Sequence, residues 1–410
     1  MSEPPPGSPP QRSPFFRPGT FLVGLLLGLA LCSLVARRVS SQSYHRGFTR
    51  FYLGISPEAQ YYPTLDEMKA IVRSSCRPDQ TLVIVGGNSI FNGVGQPPGS
   101  VWTGELQNQL GDGYFVVNFA FRGALCTDGG AVVAEALRKE FPRQIYVANT
   151  SPFGAVAPYG TEPYRYLFWE ALARGELEAF PPRDADVSHF RRRYMSWGER
   201  FDVGSRESLD RVLRFRDLWN WVGFTRLFTI PSMMTPHLPE AIWPRMKVAD
   251  TETDFDTIPF DVRFRPEIRE AEMKIVRGFS KIFYTEGPDG AWILRPETAK
   301  EYGEQIRAAF PDDLKARTLI LLSRNSPLYV EQLTPSERSR DDQAYRDAIG
   351  LWQKAGCAAG EYGTGYEVLD FGDRTHLTSR GGQKLAHTVA DLVRSLSDKL
   401  GYTHRNSPPP

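Results

Sequence analysis

The sequence predicts an α/β fold built on a parallel sheet, and three observations point to it. Apolar runs of strand length alternate with Ala/Leu-rich segments of helix length, the pattern of right-handed βα crossovers. The pattern stops at Pro152 and resumes at Thr318, so a single sheet is interrupted by a large insertion. The first run, Val83-Ile84-Val85, breaks at Gly86-Gly87 and presents Asn88-Ser89, a strand followed by a sharp turn.

The elements follow in chain order. Residues 1–18 are rich in Pro and Ser, the composition of a disordered tail. Residues 19–36, from Gly19 to Ala36, form an uncharged apolar stretch of 18 residues. That is close to the shortest helix that spans a bilayer. A secretory signal peptide is the competing reading. The stretch is long for a signal core, and no small-x-small cleavage site follows it. Leu29-Ala30-Leu31-Cys32 departs from a lipoprotein box because Leu31 is too large before the cysteine. An uncleaved single-pass anchor is therefore expected. Arg12 and Arg17 precede it, and Arg37, Arg38, Arg46 and Arg50 follow, which mildly favours a cytoplasmic bulk. Long domains translocate largely regardless of such charges.

Residues 37–75 read as a linker with a helix near its end, where Thr64 and Glu67 have capping-box spacing. The first half of the main domain is 76–154. It holds strands at Thr81–Val85, Tyr114–Phe119 and Gln144–Ala148, and helices at Val101–Leu110 and Thr127–Lys139, the latter capped by Thr127 or Asp128. Region 155–295 is dense in Arg, Trp and Phe and reads as a mostly helical insertion, with helical spacing over 206–229. Its aromatics are expected to pack as core. Arg191 to Arg193 are expected on a solvated face, with an anionic polymer or lipid headgroups as the alternative. The second half, 296–402, holds strands at Thr318–Leu322 and Tyr366–Asp370, and helices at Asp341–Ala355 and Ser379–Leu400. Residues 403–410 form a second tail.

Composition removes several classes of function. The net charge of +1 gives no broad basic field, so no nucleic-acid partner is expected. The four cysteines contain no CxxC pair, so no zinc site is expected. Past Cys32, three remain, enough for at most one disulfide, which the spacing does not decide. Gly86-Gly87 lacks the Lys of a phosphate loop.

The chemistry-bearing residues lie at two distant loops. Asp373-Arg374-Thr375-His376 places a carboxylate three residues before an imidazole, just ahead of a long helix. Such an Asp can hold the imidazole tautomer and stabilise the cation that forms on it. A serine hydroxyl needs a neighbouring base to become a nucleophile, and Ser89 follows the first strand. Sites in open α/β sheets form at the carboxyl ends of strands, where both loops fall. Ser89 is thus the candidate nucleophile, His376 the base and Asp373 the orienting group. Of the six His, none of His45, His189, His237, His387 and His404 has a comparable setting. An acyl-transfer site also needs oxyanion donors. Gly123, after the second strand, and Asn149, after the third, are the candidates, although each also fits an ordinary turn or strand-end role. Asp373 and His376 as metal ligands are the weaker alternative, since no further ligand cluster appears.

In order, Gly87-Asn88-Ser89-Ile90, Asn118 to Gly123, Asn149, and Asp373-Arg374-Thr375-His376-Leu377 resemble the four blocks of the SGNH hydrolase family, the GDSL-type esterases. The resemblance covers about 80–155 and 315–400. It implies a flavodoxin-like three-layer α/β/α sandwich, no cofactor and no metal. The triad it implies is Ser89, Asp373 and His376, with an oxyanion hole of Ser89, Gly123 and Asn149. Two departures are visible: Asn88 stands where the family has Asp, and Val147-Ala148-Asn149-Thr150 lacks the usual Gly-x-Asn-Asp form. The anchor and insertion are similar to membrane-tethered members that edit envelope polymers. That implies an extracytoplasmic hydrolase or O-acyltransferase acting on an acylated glycan, lipid or polymer, with an envelope acyl-transfer protein as a further partner. The alternative is a binding or assembly protein that keeps the fold without the activity.

Overall fold

The computed structural model describes residues 18–40, 50, 54–56, 59–60, 65–156, 171, 254–288 and 290–402. Five strands form one parallel sheet: β1 (Thr81–Val85), β2 (Tyr114–Asn118), β3 (Gln144–Thr150), β4 (Thr318–Ser323) and β5 (Ala358–Tyr362). Their order across the sheet is β2-β1-β3-β4-β5. Strand direction and order together place the reversal of winding between β1 and β3.

Side chains alternate across a strand, and here the two faces feed two cores. Leu82, Ile84, Tyr146, Ala148, Ile320 and Leu322 face one layer, packed with helices α2 (Leu65–Ser75), α5 (Gly130–Leu137), α7 (Pro296–Ala309) and α8 (Pro335–Lys354). Val83, Val85, Ile145, Val147, Leu319 and Leu321 face the other, against α3 (Ser89–Asn92), α4 (Trp102–Leu110) and α9 (Ser379–Lys399). Helices on both faces explain why every residue of β1, β3 and β4 is buried and why these strands read as unbroken apolar runs. Each such Val, Leu or Ile contributes about 1.5–3 kcal/mol on burial. β1 to β3 come from 76–154 and β4 and β5 from 296–402, so the two halves complete one sheet.

Several elements differ from expectation. The last strand is Ala358–Tyr362, while 368–370 is a 3-10 turn. Asp370 fixes that turn: its carboxylate accepts the Glu367 N–H (2.7 Å) and pairs with Lys384 and Arg380. Ala-Ala-Gly-Glu-Tyr has no β-branched residue, and it becomes a strand because β4 offers an open edge. β3 runs through Thr150, so Asn149 lies within the strand, paired with Leu321. Helix α8 starts at Pro335, six residues before the expected Asp341, because Thr334 and Glu337 form a capping box there. Helix α5 is capped at Gly129; Asp128 instead accepts the Leu125 N–H (2.8 Å).

Of region 155–295, the described part from 254 onward holds helix α6 (Pro266–Phe279), short helical turns, and a hairpin of Tyr284–Glu286 with Trp292–Leu294. The aromatic and arginine runs at 190–221, the expected helix at 206–229 and the Thr64 cap lie outside the described residues. So do His45, His189, His237 and His404. Cys76, Cys126 and Cys357 are free thiols. Burial pushes Cys357 up to about 12 and Cys76 up to about 11, so neither is primed to react.

The apolar stretch 19–36 falls within helix α1 (Pro18–Ser40), 23 residues long. Its side chains are described at 19–31 and at Leu34, and its large apolar ones, from Phe21 to Leu34, are mostly exposed. Among the described residues no helix is long and apolar enough to cross a membrane.

Candidate active site

The turn after β1 is built for close approach. Gly86 N–H donates to Val147 O (2.8 Å), and Gly87 takes φ 96°. A Cβ on Gly87 would lie 2.9 Å from the Asn149 backbone nitrogen, so only glycine fits both the angle and the space. Asn88 then caps a single helical turn, its Oδ1 accepting the Ile90 N–H (3.0 Å). Ser89 is the first residue of that turn, where a backbone N–H has no partner within the helix. The far end of the turn is held by a residue from outside the sheet domain. Arg50 donates through Nη2 to Gln96 O (2.7 Å), and through Nη1 to Gly93 O and to Asn92 O (3.2 Å).

The second loop must travel. β5 lies three strands from β1, about 14 Å at the usual strand spacing. Residues 363–378 cover that span along the carboxyl edge of the sheet. The loop is pinned by the Phe371–Leu377 bridge and by Gly372 N–H to His376 O (2.8 Å). Ser326 N–H donates to Arg374 O (2.8 Å), and the Arg374 side chain pairs with Glu272 of α6 and donates to Asn325 Oδ1 (2.8 Å).

Within this loop Asp373 organises the base. Its Oδ1 accepts the N–H groups of Thr375 and His376, each at 2.8 Å. Its Oδ2 lies 2.6 Å from His376 Nδ1, and His376 Nε2 lies 2.7 Å from Ser89 Oγ. Burial pushes the Asp373 carboxyl up. The bond and charge of His376 and the two backbone N–H groups outweigh it and hold the carboxyl below its usual range. An ionised Asp373 only accepts, so Nδ1 carries the proton and Nε2 is free to accept from the serine hydroxyl. The structure therefore brings together Ser89, His376 and Asp373, three residues that sequence alone placed on one sheet edge. His387 sits on the surface of α9, with Nε2 3.8 Å from Asp391. Among the described residues no cluster of His, Cys, Asp or Glu could hold a metal ion.

The expected oxyanion donors have resolvable settings. Asn149 is buried, and its amide is clamped to Asn88: Oδ1 accepts the Asn88 N–H (3.0 Å) and Nδ2 donates to Asn88 Oδ1 (2.8 Å). The Tyr362 hydroxyl is a further polar neighbour of the Asn149 side chain. Gly123, at φ 75°, is the third residue of a turn closed by Ala124 N–H to Phe121 O (3.3 Å). That turn docks on the nucleophile loop through Phe121 N–H to Gly87 O (3.1 Å). Replacing Asn149 with Asp removes the donor to Asn88. The expected result is a loss of about 1–3 kcal/mol in stability, read from thermal unfolding.

Arg50, Glu272, Asn325 and Phe255 are neighbours of this site that sequence reasoning missed. No local motif marks any of them, because each reaches the site across a long stretch of chain.

No family model matches the chain, and neither a curated protein nor a solved structure matches it.

Proposed function

We propose that this chain is a serine-dependent ester hydrolase or O-acyltransferase of the SGNH type, with a flavodoxin-like sandwich tethered to a membrane. The observation that carries the proposal is the unbroken run of bonds from Asp373 Oδ2 through His376 to Ser89 Oγ, at 2.6 and 2.7 Å. Two features support it. The strand order 2-1-3-4-5 is the flavodoxin-like order, whose sites form where the winding reverses between β1 and β3. Ser89 follows β1 and Asn149 is the penultimate residue of β3 at that point.

In the proposed reaction Ser89 Oγ attacks an ester carbonyl as its proton moves to His376 Nε2. The tetrahedral oxyanion meets the Ser89 N–H, with Gly123 N–H and Asn149 Nδ2–H as the other proposed donors. Collapse expels the alcohol, which takes the proton from Nε2 and leaves an acyl group on Ser89. Water or an acceptor hydroxyl then repeats the sequence in reverse. The tether rests on the uncharged stretch Gly19–Ala36, whose 18 residues would span about 27 Å at 1.5 Å per residue, close to the roughly 30 Å hydrocarbon core of a bilayer. An extracytoplasmic catalytic domain and an O-acylated envelope glycan, lipid or polymer as substrate rest on the sequence resemblance.

One observation favours a second reading. The Asn149 amide is already engaged by Asn88, which fits a fold kept for binding or assembly in the cell envelope. The full-length chain in detergent, given p-nitrophenyl acetate with and without an oligosaccharide acceptor, separates the two. The enzyme reading expects free acetate or acetylated oligosaccharide by mass spectrometry. Neither product above the buffer rate supports the binding protein.

A further inference from the structure

Residue Phe255 lies in the second half of the 155–295 insertion, and its ring contributes to none of the hydrophobic clusters among the described residues. It packs instead between the two loops that carry the triad. Its N–H donates to Gly95 O (3.0 Å), just beyond the turn that bears Ser89. Its ring fills a notch made by two glycines. A Cβ on Gly95, or on Gly372 beside Asp373, would overlap the same ring edge. The ring also meets His376 edge-on, with centroids 6.4 Å apart and planes at 68°. Two neighbouring bonds fasten this strap to the His376 loop: Asp256 Oδ2 accepts the Ser379 N–H (3.0 Å), and Arg263 Nη1 donates to Phe371 O (2.9 Å).

We propose that Phe255 is a positioning residue: its ring is a wedge between the Ser89 segment at Gly95 and the Asp373–His376 loop at Gly372, and it sets the separation of Ser89 and His376. A serine and its base lose their alignment when either loop shifts, and a displacement of about 1 Å costs on the order of 10²-fold in rate. The aromatic ring suits the role because it is rigid and flat, whereas Gln96, the neighbouring link between the two segments, reaches Leu377 O and Thr378 O only through 3.4 Å bonds of a flexible amide. This inference rests on the triad reading of the site.

The test is a double-mutant cycle in the full-length chain. Gly372 has no positive φ, and the atoms nearest its absent Cβ are all Phe255 ring atoms, so Gly372→Ala and Phe255→Ala address one contact. With p-nitrophenyl acetate, each single variant should lower kcat by about 10- to 100-fold with KM little changed. Phe255→Leu should recover part of the loss. The double variant should lose no more than the worse single, because the added methyl then occupies space the ring has left. Wild-type kcat in Phe255→Ala, or a double variant whose loss is the product of the singles, overturns the proposal.

A spectroscopic arm does not depend on turnover. The downfield proton resonance of His376 Nδ1–H, assigned by its loss in His376→Gln, should broaden or shift in Phe255→Ala and return in Phe255→Leu. An unchanged resonance in Phe255→Ala overturns the wedge even if the chain hydrolyses nothing. A wild type with neither that resonance nor hydrolysis overturns the triad reading, and the wedge with it.

Discussion

Under the proposed function, replacing Ser89 with Ala should lower ester turnover by about 10⁴- to 10⁶-fold, the scale seen when a triad nucleophile is removed. The geometry explains why the loss should be near complete. His376 Nε2 has Ser89 Oγ as its hydrogen-bond partner, at 2.7 Å. With the hydroxyl gone, the imidazole can activate only an unpositioned water. The fold should hardly notice. Ser89 is partly exposed, it begins a one-turn helix, and the cap of that helix is the Asn88 side chain. Alanine keeps the Cβ and the backbone. Thermal unfolding should shift by less than about 0.5 kcal/mol, as for a surface change away from structural features. A large rate loss with an unmoved transition separates a chemical role from a structural one. Comparable losses in both would place Ser89 among the turn-forming residues instead.

The Asp373→Asn variant should cost about 10⁴-fold in kcat, through the tautomer of His376. The carboxylate accepts three N–H groups, two from the backbone on Oδ1 and one from the imidazole on Oδ2. Asparagine has one acceptor oxygen. If that oxygen keeps the two backbone bonds, the amide N–H faces His376 Nδ1. The imidazole proton then moves to Nε2, the atom that must accept from Ser89. The same substitution has a signature in stability. The folded Asp373 carboxyl sits below its usual value. Its contribution is therefore present above the unfolded pKa of about 3.9 and is lost as pH falls through the lower folded value. Wild type should gain stability over Asp373→Asn as pH rises from the lower folded value to about 4, keep that margin above it, and converge with the variant in stronger acid. Equal pH dependence of the two unfolding curves would contradict the bonding around this carboxylate.

The triad was legible because its information is local. Asp373 and His376 are three residues apart in one loop, and Ser89 follows a strand through a turn whose glycines have a clear steric reason. What remained hidden depends on distant partners. β5 is a strand only because β4 has a free edge, so Ala358-Ala359-Gly360 gives no propensity signal. The apolar Val368-Leu369 pair drew the strand assignment, while Asp370 and its cations turn that segment aside. Asn149 was legible as a polar residue at the end of β3, but its clamp on Asn88 joins residues far apart in sequence. Arg50 and Phe255 reach the site from the linker and from within the insertion. An isolated arginine in a linker, or a phenylalanine after a polar run, has no periodicity or motif to mark it. The early start of α8 was readable in principle from Thr334-Pro335-Ser336-Glu337, but the apolar periodicity only begins later in the helix.

The central claim is that Ser89 is an activated nucleophile. Treating the full-length protein with a fluorophosphonate, beside Ser89→Ala, and locating the adduct by peptide mass spectrometry tests it most directly. The triad predicts one covalent adduct on Ser89 in the wild type and none in the variant. A folded wild type that takes up no label, or an adduct that persists in Ser89→Ala, would contradict it.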